Sequence, residues 1–214
     1  MSRPLRILLL AFDEVEALDL AGPYEVFTTA ARMAARTVAG SAPAQCPPEH
    51  PAHWQVACVS RDGRPVRARA GLQILPEHGF SDAPQADLLL VPGGVVDAAA
   101  RCPETLAWVG GQARQAQIAA SVCTGVFILA AAAVLSARQN VTTHWEDIDA
   151  LQRLHPGLQV QAGPRWIDEG RIVSSAGISA GIDMSLHLVE RLGGLALAER
   201  TARQMDYRWL KTPA

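Results

Sequence analysis

The sequence has few cysteines, and their spacing gives them no evident structural role. The 214-residue chain contains four, at Cys46, Cys58, Cys102 and Cys123, and none belongs to a C-x-x-C or other zinc-binding pattern. No export signal is evident, because the short apolar run at the start leads straight into acidic residues. We therefore expect a reducing, cytoplasmic setting with free thiols, and no metal site.

Long runs of one charge are also missing. Basic and acidic residues nearly balance, with 19 against 21 and a formal net charge of -2, and no basic run reaches five residues. The few tryptophans and tyrosines are scattered along the chain. The sequence therefore predicts no nucleic-acid partner.

Phosphate-binding and membrane-spanning motifs are absent as well. No G-x-G-x-x-G or G-x-x-x-x-G-K-[ST] motif occurs. The segment from Ile118 to Leu135 carries no charge, but it is rich in alanine and is interrupted by polar residues and glycine. It is at the lower length limit for a membrane span, so we expect a buried strand followed by a buried helix and no membrane association.

What the chain does contain is an alternation of apolar strands and helices. The expected strands include RILLLAF, WQVACVS, ADLLLV and QIAASV, separated by helical patterns, with small β-hairpins over 66–75 and 165–175. This alternation predicts an α/β fold: a doubly wound, mostly parallel sheet with helices on both faces, a flavodoxin-like three-layer sandwich. We expect one domain over 1–214, with a Pro-rich loop insertion at 37–53.

Three candidate functional segments follow predicted strands. They are Asp19 with Gly22, then Gly93-Gly94, and then the Cys123-Thr124-Gly125 turn. Because ligands in such folds bind beyond the carboxyl ends of the strands, we expect these segments to meet.

The strand-to-helix corner predicts a reactive thiol at Cys123. Amides at the start of the following helix would favour thiolate and lower the pKa of this cysteine. The alternative is a small, inert buried side chain. Cys58 falls within a strand, and Cys46 and Cys102 fall in predicted loops, so we assign these three no role.

The neighbouring candidates each have a structural alternative. Asp19 would act as general acid and base, or would cap the helix that follows, while Glu16 is expected to face solvent. The Gly94 and Thr124 amides would cradle a developing negative charge, or Gly93-Gly94 would form an ordinary tight turn. His144 would pair with Cys123 as a base, or would have a structural role only.

The ordered segments that carry these residues resemble the DJ-1/PfpI (ThiJ) superfamily, whose fold is that of class I glutamine amidotransferases. They are LDLAGP at 18–23, PGG at 92–94, SVCTG at 121–125, TTHW at 142–145 and SAGISAGID at 175–183. Within the superfamily the chain is most similar to isocyanide hydratases and to the amidase-like ligand domain of AraC-type regulators.

The resemblance implies a role for each matching residue. Cys123 attacks the isocyanide carbon, Asp19 handles the proton and Thr124 positions the reactants. Gly93, Gly94 and Ile178 fall at oxyanion or substrate-binding positions. A homodimer without a cofactor, acting on a small molecule, is also implied.

One departure narrows the choice of function. Protease-like members of the superfamily carry histidine directly after the cysteine, where this chain has Thr124, so a peptidase is not expected. The leading hypothesis is a cysteine-dependent hydratase or hydrolase that converts an isocyanide to an N-substituted formamide. The alternative is ligand binding or cysteine redox sensing without turnover. Less favoured is a regulator-type ligand domain lacking its DNA-binding module, because only seven residues follow Tyr207.

Overall fold

The computed structural model describes residues 3–38 and 53–213, and they form eleven strands and seven α-helices. The strands are β1 (Leu5–Leu10), β2 (Trp54–Ser60), β3 (Val66–Arg67), β4 (Gln73–Ile74), β5 (His78–Gly79), β6 (Leu88–Val91), β7 (Ile118–Val122), β8 (Asn140–Val141), β9 (Gln159–Val160), β10 (Trp166–Asp168) and β11 (Ile172–Ser175). The helices are α1 (Ala17–Val38), α2 (Asp97–Arg101), α3 (Pro103–Gln115), α4 (Gly125–Ala131), α5 (Ile148–Leu154), α6 (Ala180–Gly193) and α7 (Leu195–Gln204).

A seven-stranded sheet forms the centre of the fold, in the order β10-β11-β7-β6-β1-β2-β5. All neighbouring pairs are parallel except β10 with β11. Strands β6 and β7 are buried at every position, as expected of parallel strands covered on both faces. The predicted mostly parallel α/β sheet is confirmed.

The helices pack in two groups against this sheet. Helices α1, α6 and α7 contact one another, and α1 and α6 also contact strands of the sheet. Helices α2, α3 and α4 form the second group, in which α4 contacts β6 and β7. The expected three layers are present, and the core lies between each helix group and the sheet.

The start of α1 differs from the prediction. Proline favours the first turn of a helix, so Pro23 in the sequence predicts a helix start at this position. Helix α1 instead begins at Ala17 and contains Pro23 as its seventh residue. The helix starts early because the Glu16 carbonyl accepts the amides of Asp19 and Leu20, at 3.1 and 3.4 Å. Asp19 therefore lies in the first turn of α1 and does not cap a later helix.

The predicted loop at 37–53 falls mostly outside the described residues. Its first two positions, 37 and 38, belong to the backbone of α1, so the expected loop boundary there is wrong. Positions 39–52, which include Cys46, are not described.

The structure also tests the predictions for Cys102 and for the uncharged stretch from Ile118 to Leu135. Cys102 lies in the connection between α2 and α3, as expected of a loop residue, and it is the N-cap residue of α3. The uncharged stretch from Ile118 to Leu135 forms β7 and α4, as expected. Among the described residues, no helix has the length and apolar character needed to cross a membrane.

Candidate active site

The three central strands end at the same edge of the sheet and bring the predicted segments together. Strand β6 lies between β1 and β7, so the chain segments that follow β1, β6 and β7 are neighbours. Residues Val15 and Gly94 form a β-bridge, and the Glu16 amide donates to the Gly93 carbonyl at 2.8 Å. The expected convergence at the carboxyl edge of the sheet therefore occurs.

Cys123 occupies the corner between β7 and α4 in a strained backbone conformation. Its φ is 55°, in the left-handed region that side chains other than glycine rarely adopt. Two contacts hold the corner: the Cys123 amide donates to the Ser175 carbonyl at 3.0 Å, and the Thr143 hydroxyl donates to the Cys123 carbonyl at 2.9 Å. The strain is therefore fixed by one residue of β11 and one from the segment that follows β8.

Gly125 allows this corner to lie close to the neighbouring strand. A Cβ at this position would be 2.1 Å from the Val91 carbonyl oxygen, closer than any side chain tolerates. The sharp strand-to-helix turn thus requires glycine two residues after the cysteine.

The thiol of Cys123 does not have the low pKa that the helix terminus predicts. Burial raises the pKa of Cys123 to about 12, and the charge of Asp19 adds to this effect, while the amide and hydroxyl of Thr124 oppose it. The expected lowering is wrong, because burial and the adjacent carboxylate outweigh the helix dipole. At neutral pH the sulfur is therefore a neutral thiol.

Cys102 shows the behaviour that was expected of Cys123. Hydrogen bonds from the Thr105 hydroxyl, and then from the Thr105 amide, lower the pKa of Cys102. This thiol is also only half-buried, whereas Cys123 is buried. A helix N-terminus therefore favours thiolate where the sulfur stays close to water.

Asp19 is fully buried beside Cys123. Neither of its carboxylate oxygens makes a hydrogen bond within ordinary geometric limits, although the Cys123 thiol and the Gly93 amide are close enough to affect its ionisation. Burial raises the pKa of Asp19 to about 7; the Cys123 thiol opposes this shift and the charge of Glu16 adds to it. The carboxyl group can therefore hold or release a proton near neutral pH.

Thr124 connects the cysteine corner to the Gly93-Gly94 turn. Its hydroxyl accepts the Gly94 amide and donates to the Gly94 carbonyl, both at 2.9 Å. A Cβ on Gly93 would lie 2.7 Å from an oxygen of Asp19 and 2.7 Å from the Thr124 amide. The Gly94 amide therefore holds Thr124 in place, and Gly93 leaves space for Asp19.

His144 lies beside Gly177, which is also close to the Cys123 sulfur. Its Nδ1 accepts the Glu146 amide at 3.4 Å and is 3.6 and 3.7 Å from the carboxylates of Glu146 and Asp147. A Cβ on Gly177 would lie 2.5 Å from Cδ2 of His144 and 2.9 Å from the Cys123 sulfur. The ring edge that carries Cδ2 thus faces the region of the thiol.

These groups border a cavity of about 350 Å³. It is lined by Cys123, Thr124, Gly94, His144 and Ile178, and also by Glu16, Arg69, Val95, Val96, Asp97, Phe127, Glu146 and Asp147. A volume of this size is suitable for a small molecule. Asp19 and Gly93 lie behind this wall and do not line the cavity.

Two residues near the sulfur were missed or misplaced by the sequence reasoning. Glu16 lines the cavity with its side chain only 25% exposed, which contradicts the expected position in solvent. Gly177 separates the sulfur from His144, and the only signal for it was its place inside the SAGISAGID segment.

The described residues contain no cluster of three or more histidine, cysteine, aspartate or glutamate side chains able to hold a metal ion. A buried thiol, a carboxyl that titrates near neutral pH and a hydroxyl lie together at the end of a central strand. This is the arrangement of an α/β protein with a buried cysteine at a strand-to-helix corner.

The profile of the DJ-1/PfpI family matches residues 5–191, and the chain belongs to this family. The chain is 33% identical to isonitrile hydratase from Pseudomonas putida over 204 residues, which cover 95% of this chain and 78% of that protein. It is 35% identical over 153 residues to the HTH-type transcriptional regulator GbdR of Pseudomonas aeruginosa, covering 72% of this chain and 41% of the regulator.

Solved structures also show the similarity to this family. A ThiJ/PfpI family protein from Pseudomonas syringae has a TM-score of 0.80 and 27% identity, covering 99% of this chain and 82% of that one. Drosophila melanogaster DJ-1beta has a TM-score of 0.74 at 15% identity, covering 97% and 100% of the two chains, and this likeness concerns the fold alone.

Proposed function

We propose that the protein hydrates a small isocyanide to an N-substituted formamide, with Cys123 as the nucleophile. The observation that carries the proposal is the buried Asp19 carboxyl, which has a pKa of about 7 and lies beside a thiol with a pKa of about 12. Such a thiol needs a neighbouring base at the moment of attack. The similarity to an isonitrile hydratase over nearly the whole chain supports the choice of substrate.

The first half of the reaction adds the thiol to the terminal carbon of the isocyanide. The sulfur of Cys123 forms a bond to this carbon while Asp19, as carboxylate, takes the S–H proton and then delivers it to the same carbon. The product is a thioimidate, in which the carbon bears sulfur and hydrogen and is double-bonded to nitrogen. No proton has been gained from or lost to solvent at this point.

The second half releases the product with one water molecule. Water adds to the thioimidate carbon, one of its protons moves to the nitrogen, and the carbon–sulfur bond breaks. The other proton returns to the sulfur through Asp19, which leaves the formamide and the original thiol. Thr124 is the group that we assign to position the water or the substrate, because the Gly94 backbone fixes its hydroxyl on the cavity wall.

The test uses cyclohexyl isocyanide and follows formamide formation by NMR. We expect Cys123→Ala to lower the rate by about a thousandfold or more, since removal of a nucleophile eliminates the covalent route. Asp19→Asn should also abolish turnover, because it cannot carry the proton. Cys102→Ala is the matched control, since this thiol also precedes a helix but lies outside the cavity. Equal rates for the wild type and Cys123→Ala would refute the proposal.

A second candidate is binding of a small molecule without turnover. The match to a regulator supports it, although the chain spans less than half the length of that protein. In this case cyclohexyl isocyanide or its formamide should bind to the wild type and to Asp19→Asn with similar affinity, and no formamide should form. Redox sensing through Cys123 has less support, because a buried thiol with a pKa of about 12 is poorly oxidised at neutral pH.

A further inference from the structure

A charge pair on the wall of the cavity lies next to the buried acid–base group. Glu16 and Arg69 both line the cavity, and Nη1 of Arg69 is 3.9 Å from Oε2 of Glu16. Arg69 comes from the short 3₁₀ turn between β3 and β4, and its amide donates to the Val15 carbonyl at 2.9 Å. The backbone therefore holds the Arg69 segment against the chain that leads into α1.

Glu16 is fixed with respect to Asp19 by the main chain. Its carbonyl accepts the Asp19 amide at 3.1 Å, and its own amide donates to the Gly93 carbonyl at 2.8 Å. The two acidic residues are thus three positions apart, with Glu16 directly before α1 and Asp19 in its first turn. Asp19 points inward and is fully buried, whereas Glu16 reaches the cavity.

We propose that Glu16 and Arg69 are positioning residues that set the protonation of Asp19. The negative charge of Glu16 holds the proton on the buried carboxyl, and Arg69 limits this effect by partly neutralising Glu16. Neither side chain needs to touch the reacting atoms. The effect on turnover rests on the proposed use of Asp19 as proton carrier, whereas the effect on protonation does not.

The charges around Asp19 support this assignment. The groups that affect the ionisation of Asp19 are Cys123 from the β7–α4 corner, the Gly93 amide and Glu16, and of these Glu16 acts through its charge. The remaining ionisable side chains of the cavity are Asp97, His144, Glu146 and Asp147. Of these, Asp97 is paired with Arg101 and the other three are grouped around His144.

The experiment titrates Asp19 directly by infrared difference spectroscopy. The C=O band of its protonated form is assigned by its loss in Asp19→Asn. We expect Glu16→Gln to move the midpoint of this titration down by roughly half a pH unit, and Arg69→Gln to move it up by a similar amount, as Coulomb interactions across a partly solvated wall allow. Arg69→Lys keeps the charge and should restore a midpoint close to that of the wild type.

A matched control and a second readout separate the inference about the protonation of Asp19 from the proposed hydratase activity. Glu25→Gln removes an exposed carboxylate from the same helix and should leave the midpoint unchanged. If the enzyme turns over cyclohexyl isocyanide, the pH profile of kcat/KM should shift in the same directions. If no turnover occurs, the infrared midpoints still test whether Glu16 and Arg69 set the protonation of Asp19. Unchanged midpoints in Glu16→Gln and Arg69→Gln, or shifts of the same sign in both, would overturn it.

Discussion

Among single residues, Gly177 leaves room for both the Cys123 thiol and the His144 ring. A side chain at this position would meet both the His144 ring and the Cys123 sulfur within 3 Å. We therefore expect Gly177→Ala to displace one of them and to lower hydratase activity by roughly a hundredfold, the typical effect of misplacing a reacting group by about 1 Å. Gly157→Ala is the control, because its Cβ would meet nothing within 4 Å. Comparable activity in the two variants would contradict this prediction.

The ionisation of Asp19 predicts a pH-dependent stability. The folded protein raises the pKa of Asp19 from 3.8 to about 7, so the group favours folding below pH 3.8, and this contribution is lost as the pH rises through 7. Asp19→Asn removes the buried charge and should stabilise the protein by up to about 4 kcal/mol at pH 8. The difference should disappear below about pH 4. Urea unfolding of both proteins across this range measures it, and a pH-independent difference would contradict it.

The site residues were predictable only in part from the sequence. Asp19, Gly93 and Cys123 follow long apolar strands, and the geometry of parallel sheets brings such positions together. The ionisation of the cysteine was not predictable, because it depends on how deeply the sulfur is buried and on which carboxylate faces it. Gly177 was missed because its contact with the sulfur depends on the pairing of β11 with β7, which no local pattern reveals.

Among the elements of secondary structure, α6 anchors the C-terminal segment. Asp183 lies in the first turn of this helix, where a carboxylate is favourable on account of the helix dipole alone. In the structure its buried carboxylate accepts bonds from the Arg165 guanidinium and from the Leu210 amide at 2.9 Å. The Trp209 indole also donates to the Asp183 carbonyl at 3.3 Å. One side chain therefore connects α6, the segment before β10 and the end of the chain.

Loss of the Asp183 carboxylate should lower the free energy of unfolding. Asp183→Ala leaves the Arg165 charge without its partner, so we expect a decrease of about 3–5 kcal/mol in the free energy of unfolding. Asp149→Ala is the control, because Asp149 occupies the first turn of α5 but is exposed. Chemical denaturation measures both variants. A decrease below about 1 kcal/mol for Asp183→Ala would show that the buried pair contributes little.

The elements themselves were predictable in proportion to their length. Strand β2 has the predicted bounds, and β6 and β7 lie within their predicted segments, because a continuous apolar run is a strong local signal. Strands β5 and β9 have two residues each and no measurable periodicity, so they were missed. The start of α1 was misplaced because Pro23 resembles a helix start, whereas hydrogen bonding to Glu16 begins the helix earlier.

For the whole molecule, we predict a homodimer, as the resemblance to the family implies. Sedimentation equilibrium should give about twice the mass of one chain at micromolar concentration, and a monomer under these conditions would contradict the prediction.

We also expect the hydratase activity to persist after dialysis against a metal chelator, since the proposed reaction uses only side chains and water. Loss of activity that added metal restores would show that the proposed chemistry is incomplete.

The strained corner at Cys123 has a consequence for the order in which the protein matures during synthesis. Its backbone is held by the Ser175 carbonyl and the Thr143 hydroxyl, both of which leave the ribosome after the cysteine itself. The Cys123 corner can therefore reach this backbone conformation only after translation has passed β11. Ribosome-bound chains that end before β11 should lack hydratase activity, and activity in such chains would show that the corner forms without these contacts.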